Sequence, residues 1–360
     1  MFEKLNLRFL KSTFDKENDV SKEKSLEFDL PLVNAKDGDN WIMYYGRSKD
    51  FESAEMTIDI VGDGAISTGN VYSQPQKTSV LYNAYLIKPQ FSTNEKILHF
   101  FTSTIQKSIK LKFGYENKAG WAKVQDEKIQ LPTKNGEIDF EFMDKFIAEL
   151  EAERLAELEA YLTTTGLKDY TLTNEEKQVL EEFESEKVTR KTFNLEKLFG
   201  KSTRGKRLKS DDRVSGILPF VTAGETDEGI SAFIWNEVTI FSENTTTIDM
   251  FGSAKYRNYK YGWDDHIAVV HTENLPKYAA IFVTTAIHKS SHNGQFDYWR
   301  NFYAKDADEL NIQLPTQNNQ PNYGIMEILI SAIQKLVIKD VVEYADRKIG
   351  ATRGAIEKKD

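Results

Sequence analysis

The sequence predicts an α+β protein built twice on one plan: two strand-rich globular units, each followed by a long helix. Three observations predict this. Short matching segments recur in the same order in both halves. Between them lie brief runs rich in Val, Ile, Thr and aromatics, bounded by Gly, Asn, Asp and Pro, as strands are. Each half then ends in an apolar-periodic stretch of helical spacing.

The repeat fixes the register. "LPLVNA" (30–35) resembles "LPFVTA" (218–223), and "TIDIVG" (57–62) resembles "TIDMFG" (247–252). "FTSTIQKS" (101–108) resembles "VTTAIHKS" (283–290), and "IQLPT" occurs identically at 129–133 and 312–316. Met143 and Met326 share the last offset, 183 residues, and the others lie between 182 and 190. Small loop insertions account for that drift, and chance does not keep so many matches in order.

The elements follow in turn. Residues 1–135 form the first globular unit, with strands such as "TIDIVG" and "AYLIKP" and a late helix near 96–107. Residues 136–165 carry the first long helix, "EIDFEFMDKFIAELEAERLAELEAYL", which has no Gly or Pro. Its apolar positions are Ile147, Leu150, Leu155, Leu158 and Leu162. Residues 166–190 are a polar connector with a short acidic helix near 174–186. Residues 191–320 form the second unit, with "TIDMFG", "IAVVHT" and a late helix near 278–289. Residues 321–360 carry the second long helix, with Leu329, Ile333, Leu336, Val337, Val341 and Tyr344 as its apolar face. At 1.5 Å per residue each long helix spans about 35–40 Å. Such a stripe must be buried. Near-heptad spacing favours mutual antiparallel packing of the two helices as a coiled coil, relating the halves by a pseudo-twofold axis. Packing of each helix on its own globular unit is the other reading. "IQLPT" marks the seam: a strand-like "IQL", then Pro, then the helix start.

Composition narrows the function classes. The chain has 360 residues, no cysteine and a net charge of −9. Without cysteine there are no disulfides, thiolate metal sites or cysteine nucleophiles. No apolar run approaches a membrane span, and the charged N-terminus does not read as a signal peptide. A cytoplasmic location is expected. The acidic excess lies in one place: residues 136–190 carry 6 Lys/Arg against 16 Asp/Glu. Elsewhere the balance is near neutral but patchy, and residues 197–213 hold seven Lys/Arg and two Asp. Such a cluster can meet phosphates in an acidic chain.

Globular unit, "LPT" seam and long helix, repeated, resembles the specificity subunit of Type I restriction–modification systems. "LPFVTAGETDEGISAFI", both "IQLPT" seams and "MDKFIAELEAERLAELEAYL" carry the resemblance, which extends over essentially the whole chain. It implies two target-recognition domains reading a bipartite, asymmetric DNA target, and paired helices as the spacer between them. It also implies docking of methyltransferase subunits, two of them expected, and through these of restriction subunits. S-adenosylmethionine is then expected in the partner, with no cofactor in this chain. Specificity subunits of Type IIB systems, whose partner fuses nuclease and methyltransferase, share the architecture. A duplicated protein-binding scaffold is the reading from another class.

No catalytic residue is expected. GxxxxGK[ST], "NPPY"-like, FxGxG, HExxH and GxSxG patterns are absent. No metal site is expected either: His266 and His271 are five apart in a strand-like run and tend to face opposite sides. DNA contact needs cations for phosphates and amide or guanidinium groups for base edges. Four loops have that mix, at 62–70, 106–118, 252–262 and 288–302, in repeat-equivalent pairs. The candidates are Arg47, Thr68, Asn70, Lys110, Lys112, Tyr115 and Lys118 in the first unit. In the second they are Lys201, Arg204, Lys206, Arg207, Lys255, Tyr256, Arg257, Asn258, Tyr259, Lys260, His288, Lys289, His292, Asn293 and Arg300. "KYRNYKY" (255–261) also reads as an edge strand with a solvated basic face. Trp41, Trp235, Trp263 and Trp299 read either as half-buried packing or as stacking groups, with packing favoured.

Overall fold

The computed structural model describes residues 1–36, 38, 40 and 42–357, with side chains to 351. Trp41 lies outside the described residues. The chain divides into two compact units, Met1–Leu158 and Glu159–Asp360.

The first unit contains β1 (Phe2–Lys4), β2 (Val20–Ser21), β3 (Leu30–Val33), β4 (Ile42–Gly46), β5 (Thr57–Val61), β6 (Val71–Gln74), β7 (Ser79–Val80) and β8 (Ala84–Pro89). Its helices are α1 (Lys16–Asp19), α2 (Glu95–Ile109) and α3 (Trp121–Val124). A small hairpin, β9 (Thr133–Lys134) and β10 (Glu137–Ile138), leads into α4 (Phe140–Thr164). One sheet has the order β1-β8-β5-β6 and is antiparallel throughout. The other has the order β2-β4-β3-β7, closed by a parallel β3–β7 pair. Alternation along β5 sends Ile58 and Ile60 to the core under α2, and Val61 to the other side beside Val33 and Leu86. Helix α2 buries Ile97, Leu98, Phe101, Ile105 and Ile109, mostly one turn apart. Each such burial contributes about 1.5–3 kcal/mol. Its first turn is capped by Asn94, whose side chain accepts the Ile97 N–H.

The second unit begins with α5 (Asn174–Glu184), β11 (Arg190–Asn194), α6 (Leu195–Phe199) and β12 (Thr203–Arg204). Then come β13 (Ser215–Val221), β14 (Ile230–Ile234), β15 (Thr245–Asp249), β16 (Ala254–Arg257), β17 (Gly262–Trp263) and β18 (Ile267–Val270). Helices α7 (Lys277–Ser291) and α8 (Ala304–Glu309), strands β19 (Asn311–Gln317) and β20 (Gln320–Pro321), and α9 (Tyr323–Glu357) complete it. The order β12-β18-β15-β16 repeats β1-β8-β5-β6. The β14-β13-β17 sheet repeats the β4-β3-β7 part of the other, down to the parallel β13–β17 pair. The duplication therefore reaches strand pairing, not only short words in the sequence.

The two "IQLPT" segments differ. The second lies within β19 and pairs with β11 from Arg190↔Pro315 to Asn194↔Asn311. The first has no strand at Ile129–Leu131. A strand needs partner donors and acceptors, and β11 supplies them only to the second copy.

Helix α9 packs along α7 and α5 of its own unit. Glu176 of α5 clasps it, accepting from Ser331 Oγ at 2.7 Å and Lys335 Nζ at 2.9 Å. Its buried side chains include Met326, Leu329, Ala332, Val342 and Ala345. This corrects the expected apolar face: Ile333, Leu336, Val337, Val341 and Tyr344 are exposed, as is Leu150 on α4. Small Ala332 and Ala345 turn out to line the covered side, and hydropathy alone does not point to them. Leu162 and Leu329 are buried, and Ile147, Leu155 and Leu158 are half-buried.

Candidate nucleic-acid interface

The four loops singled out in the sequence come together in pairs, one pair per unit. In the first unit the loop after β5 meets the loop after α2. Lys110 Nζ donates to the carbonyls of Ile66 (2.8 Å) and Thr68 (3.4 Å). The Ala119 N–H donates to the Gly62 carbonyl, and Lys118 pairs with Asp63 at 2.6 Å. In the second unit the loop after β15 meets the loop after α7. Phe302 N–H donates to Met250 O (2.8 Å), and Ser291 Oγ to Gly252 O (2.6 Å). Gly252 has φ +82°, and a Cβ there would lie 2.3 Å from Ser291 O, so only glycine permits the approach. Each unit thus presents a two-loop tip at the same place in the fold.

Several expected DNA contacts prove to be internal supports. Arg47 is held by Glu27 (2.7 Å) and the Asn18 carbonyl (2.9 Å), over the Phe28 ring. Thr68 is buried and its Oγ1 accepts the Gly64 N–H. Lys255 pairs with Glu225 (3.2 Å) and Asp249 (3.8 Å). Arg257 is only 1% exposed, donating to Thr247 Oγ1 and Tyr259 Oη. Tyr256 donates to Asn244 Oδ1. His288 Nδ1 accepts the Ala254 N–H, and burial lowers its pKa. For Lys255, Tyr256 and Arg257 the reason is that β16 is a strand of the unit's main sheet, and Arg257 faces inward.

Other candidates reach solvent. Lys201, Lys206, Arg207, Asn258, Lys260, Lys289, His292, Asn293 and Arg300 are exposed, and Asn70 is half-buried. Lys112 pairs with Glu127, Arg300 with Asp306, and Lys118 also lies over the exposed Tyr115 ring. Arg204 binds the Asp265 carbonyl (2.8 Å) and lines a cleft of about 580 Å³ with Lys206, Arg207, Glu237 and Trp263. Asp264, Asp265 and His266 lie together. His271 is engaged elsewhere, by Thr203 Oγ1 (2.8 Å) and Glu273 (3.1 Å).

The tryptophans divide. Trp263 is buried edge-on to Phe241, with ring centroids 3.8 Å apart, as the packing reading expects. Trp235 and Trp299 are exposed, against that reading. Trp299 is thrown outward by a turn in which Asp297 Oδ1 accepts the N–H groups of Trp299 (2.7 Å) and Arg300 (2.9 Å). The signal in the sequence was Asp two residues before Trp, a side-chain-closed turn. Tyr298, Leu111 and Ile66 are likewise bare at the tips and were not singled out.

The family model for the Type I restriction modification DNA specificity domain matches this chain twice, over residues 6–160 and 187–344. The Type II restriction enzyme BgcI specificity subunit S.BcgI of Heyndrickxia coagulans is 24% identical over 261 residues, covering 71% of this chain and 72% of that protein. The crystal structure of the Type I restriction–modification S subunit from M. genitalium aligns with a TM-score of 0.58 at 14% identity, covering 99% of this chain and 94% of that one. That likeness concerns the fold.

Proposed function

The chain belongs to the Type I restriction modification DNA specificity family, and we propose that it is the DNA-recognition subunit of a restriction–modification complex. Each unit reads one half of a bipartite, asymmetric target. The observation that carries this is the pair of equivalent tips with different side chains: Ile66, Leu111, Tyr115 and Lys118 in one, His292, Tyr298, Trp299 and Arg300 in the other. One scaffold with divergent tips is what two different half-sites require. Exposed Lys201, Lys206 and Arg207 supply backbone attraction.

The long helices α4 and α9 serve as spacer. The apolar side chains that α9 leaves exposed offer a docking face for methyltransferase subunits, two in the assembly, through which restriction subunits join. The chain itself performs no catalysis, S-adenosylmethionine is held by the partner, and the complex works in the cytoplasm. A Type IIB partner, combining cleavage and methylation, is the second reading, favoured by the S.BcgI relative.

The test is binding by the chain with its methyltransferase partner to a split duplex identified by methylome mapping. Affinity should fall about 1,000-fold or more between 50 and 200 mM salt if some six phosphates are contacted. Salt-insensitive binding, or none, points instead to a protein-binding scaffold.

A further inference from the structure

Leaving an indole bare forfeits its burial, so a bare one on a braced loop calls for a use. Trp299 is 97% exposed. Its loop is not slack. Asp297 closes the turn with three hydrogen bonds, two through Oδ1 and one from its N–H to Arg300 O. Phe296 and Phe302 on either side are buried against each other, ring centroids 4.9 Å apart. Tyr298, beside it, is held edge-on to Phe251 at 5.2 Å. The tip is thus a braced mount for an aromatic plate, with the Arg300 guanidinium held over the Phe296 ring and paired with Asp306.

The first unit shows the same design with different chemistry. Leu111 is 96% exposed at the equivalent tip, beside bare Ile66. That tip is also braced, by Lys110 across the two loops and by Gly114 N–H to Asn117 O. Two equivalent tips of divergent sequence both end in a bare, large apolar side chain.

We propose that these side chains are wedges. Trp299 stacks into a base step of the second half-site, and Leu111 presses as an aliphatic wedge against a step of the first. Apolar side chains inserted between base pairs unstack and kink the duplex, and aromatic rings gain by stacking on any base. Recognition then includes the ease of unstacking the wedged step, which is greatest at pyrimidine–purine steps. This rests on the DNA reading above.

The experiment uses the full chain assembled with its methyltransferase partner. The split duplex carries 2-aminopurine at successive steps of the second half-site. Wild type should raise the fluorescence at one step. Trp299→Ala should abolish that rise and weaken binding about 5- to 100-fold, with binding restored by a mismatch at that step. Trp299→Phe should keep much of the signal. A complex that binds the duplex without any step-specific rise overturns the wedge alone. Loss of methyltransferase assembly in Trp299→Ala, seen by sedimentation before DNA is added, assigns the indole to a protein contact and also overturns it. A complex that does not bind the split duplex overturns the DNA reading, and the wedge with it.

Discussion

Asp59 and Asp249 occupy the same place in the two units, at the third position of "TID" on the central strands β5 and β15. Their surroundings are opposite. Asp249 Oδ1 accepts the N–H groups of Phe251 (2.9 Å) and Ser253 (3.0 Å), and Oδ2 lies 3.8 Å from Lys255 Nζ. Asp59 is fully buried, and neither of its oxygens has a hydrogen-bond partner among the described residues. Strand register shows why. Lys255 sits opposite Thr247, and the residue opposite the equivalent Thr57 is Gln74. Duplication kept the acid in both halves, and divergence left its cation in one. What looks alike in sequence is an ion pair in one unit and an isolated acid in the other.

The largest consequence is a pH dependence that this acid confers on the first unit and its counterpart does not confer on the second. Burial pushes Asp59 well above the ordinary carboxylate range. Because its folded value exceeds its unfolded one, stability is intact below about pH 4 and is lost as pH rises toward the folded value. The loss runs at up to about 1.4 kcal/mol per pH unit. The range from about pH 5 to 8 is where this loss is to be sought. Hydrogen exchange at β5 amides should show protection falling over that range, and Asp59→Asn should flatten it. Equal protection at both pH values in the wild type would mean that water or a cation reaches the carboxylate.

The next largest effect comes from exchanging the difference itself. Lys255→Gln gives the second unit the first unit's residue and strips Asp249 and Glu225 of their cation. Breaking a largely buried pair in this way should cost roughly 2–3 kcal/mol, read as faster exchange at β15. Gln74→Lys in the first unit should do the reverse and weaken the Asp59 pH dependence. If Lys255→Gln leaves β15 protection unchanged, backbone caging alone accounts for Asp249.

A smaller effect has the opposite sign and belongs to the second unit. Burial pushes Glu176 up, but the Thr173 N–H, Lys335 and Ser331 outweigh it and hold its pKa at about 2. A depressed folded value stabilises above the unfolded one and is lost as pH falls, here from about 4.5 toward 2. The α5–α9 clasp should loosen over that window, and Lys335→Met should reduce the change. Exchange at α5 amides reads it. The first unit therefore weakens toward alkaline pH and the second toward acid.

These contrasts also show what the sequence could convey. Repetition and apolar period gave both units, the late helices, the connector helix and the long helices, because those follow from local spacing. Whether a cation faces solvent does not follow from local spacing. Arg47, Lys255 and Arg257 are candidate DNA contacts by residue type, the last two also because they stand among tyrosines. Their partners are distant in sequence or across a strand pair, Glu27 for Arg47 and Thr247 and Asp249 on β15 for Arg257 and Lys255, and local spacing does not show them. The stretches expected to be loops include strand β16 and the ends of α2 and α7 as well as turns, and the most exposed groups at the tips are apolar, so a search guided by charge passes over Leu111 and Tyr298.

The smallest predicted effects are at those tips, and they separate exposed tip from core in both units at once. Trp299 and Leu111 touch solvent over nearly all of their area. Replacing either with Ala should change folding stability by less than about 0.5 kcal/mol. Trp263, buried between Phe241 and Tyr261, should cost about 3–5 kcal/mol when truncated. The comparison controls for residue type within one unit. If Trp299→Ala instead destabilised by more than about 1 kcal/mol, measured by exchange in α7 and β15, the indole would be a packing group in solution. The two tips would then no longer be equivalent, and the difference between the units would extend from their interiors to their exposed tips.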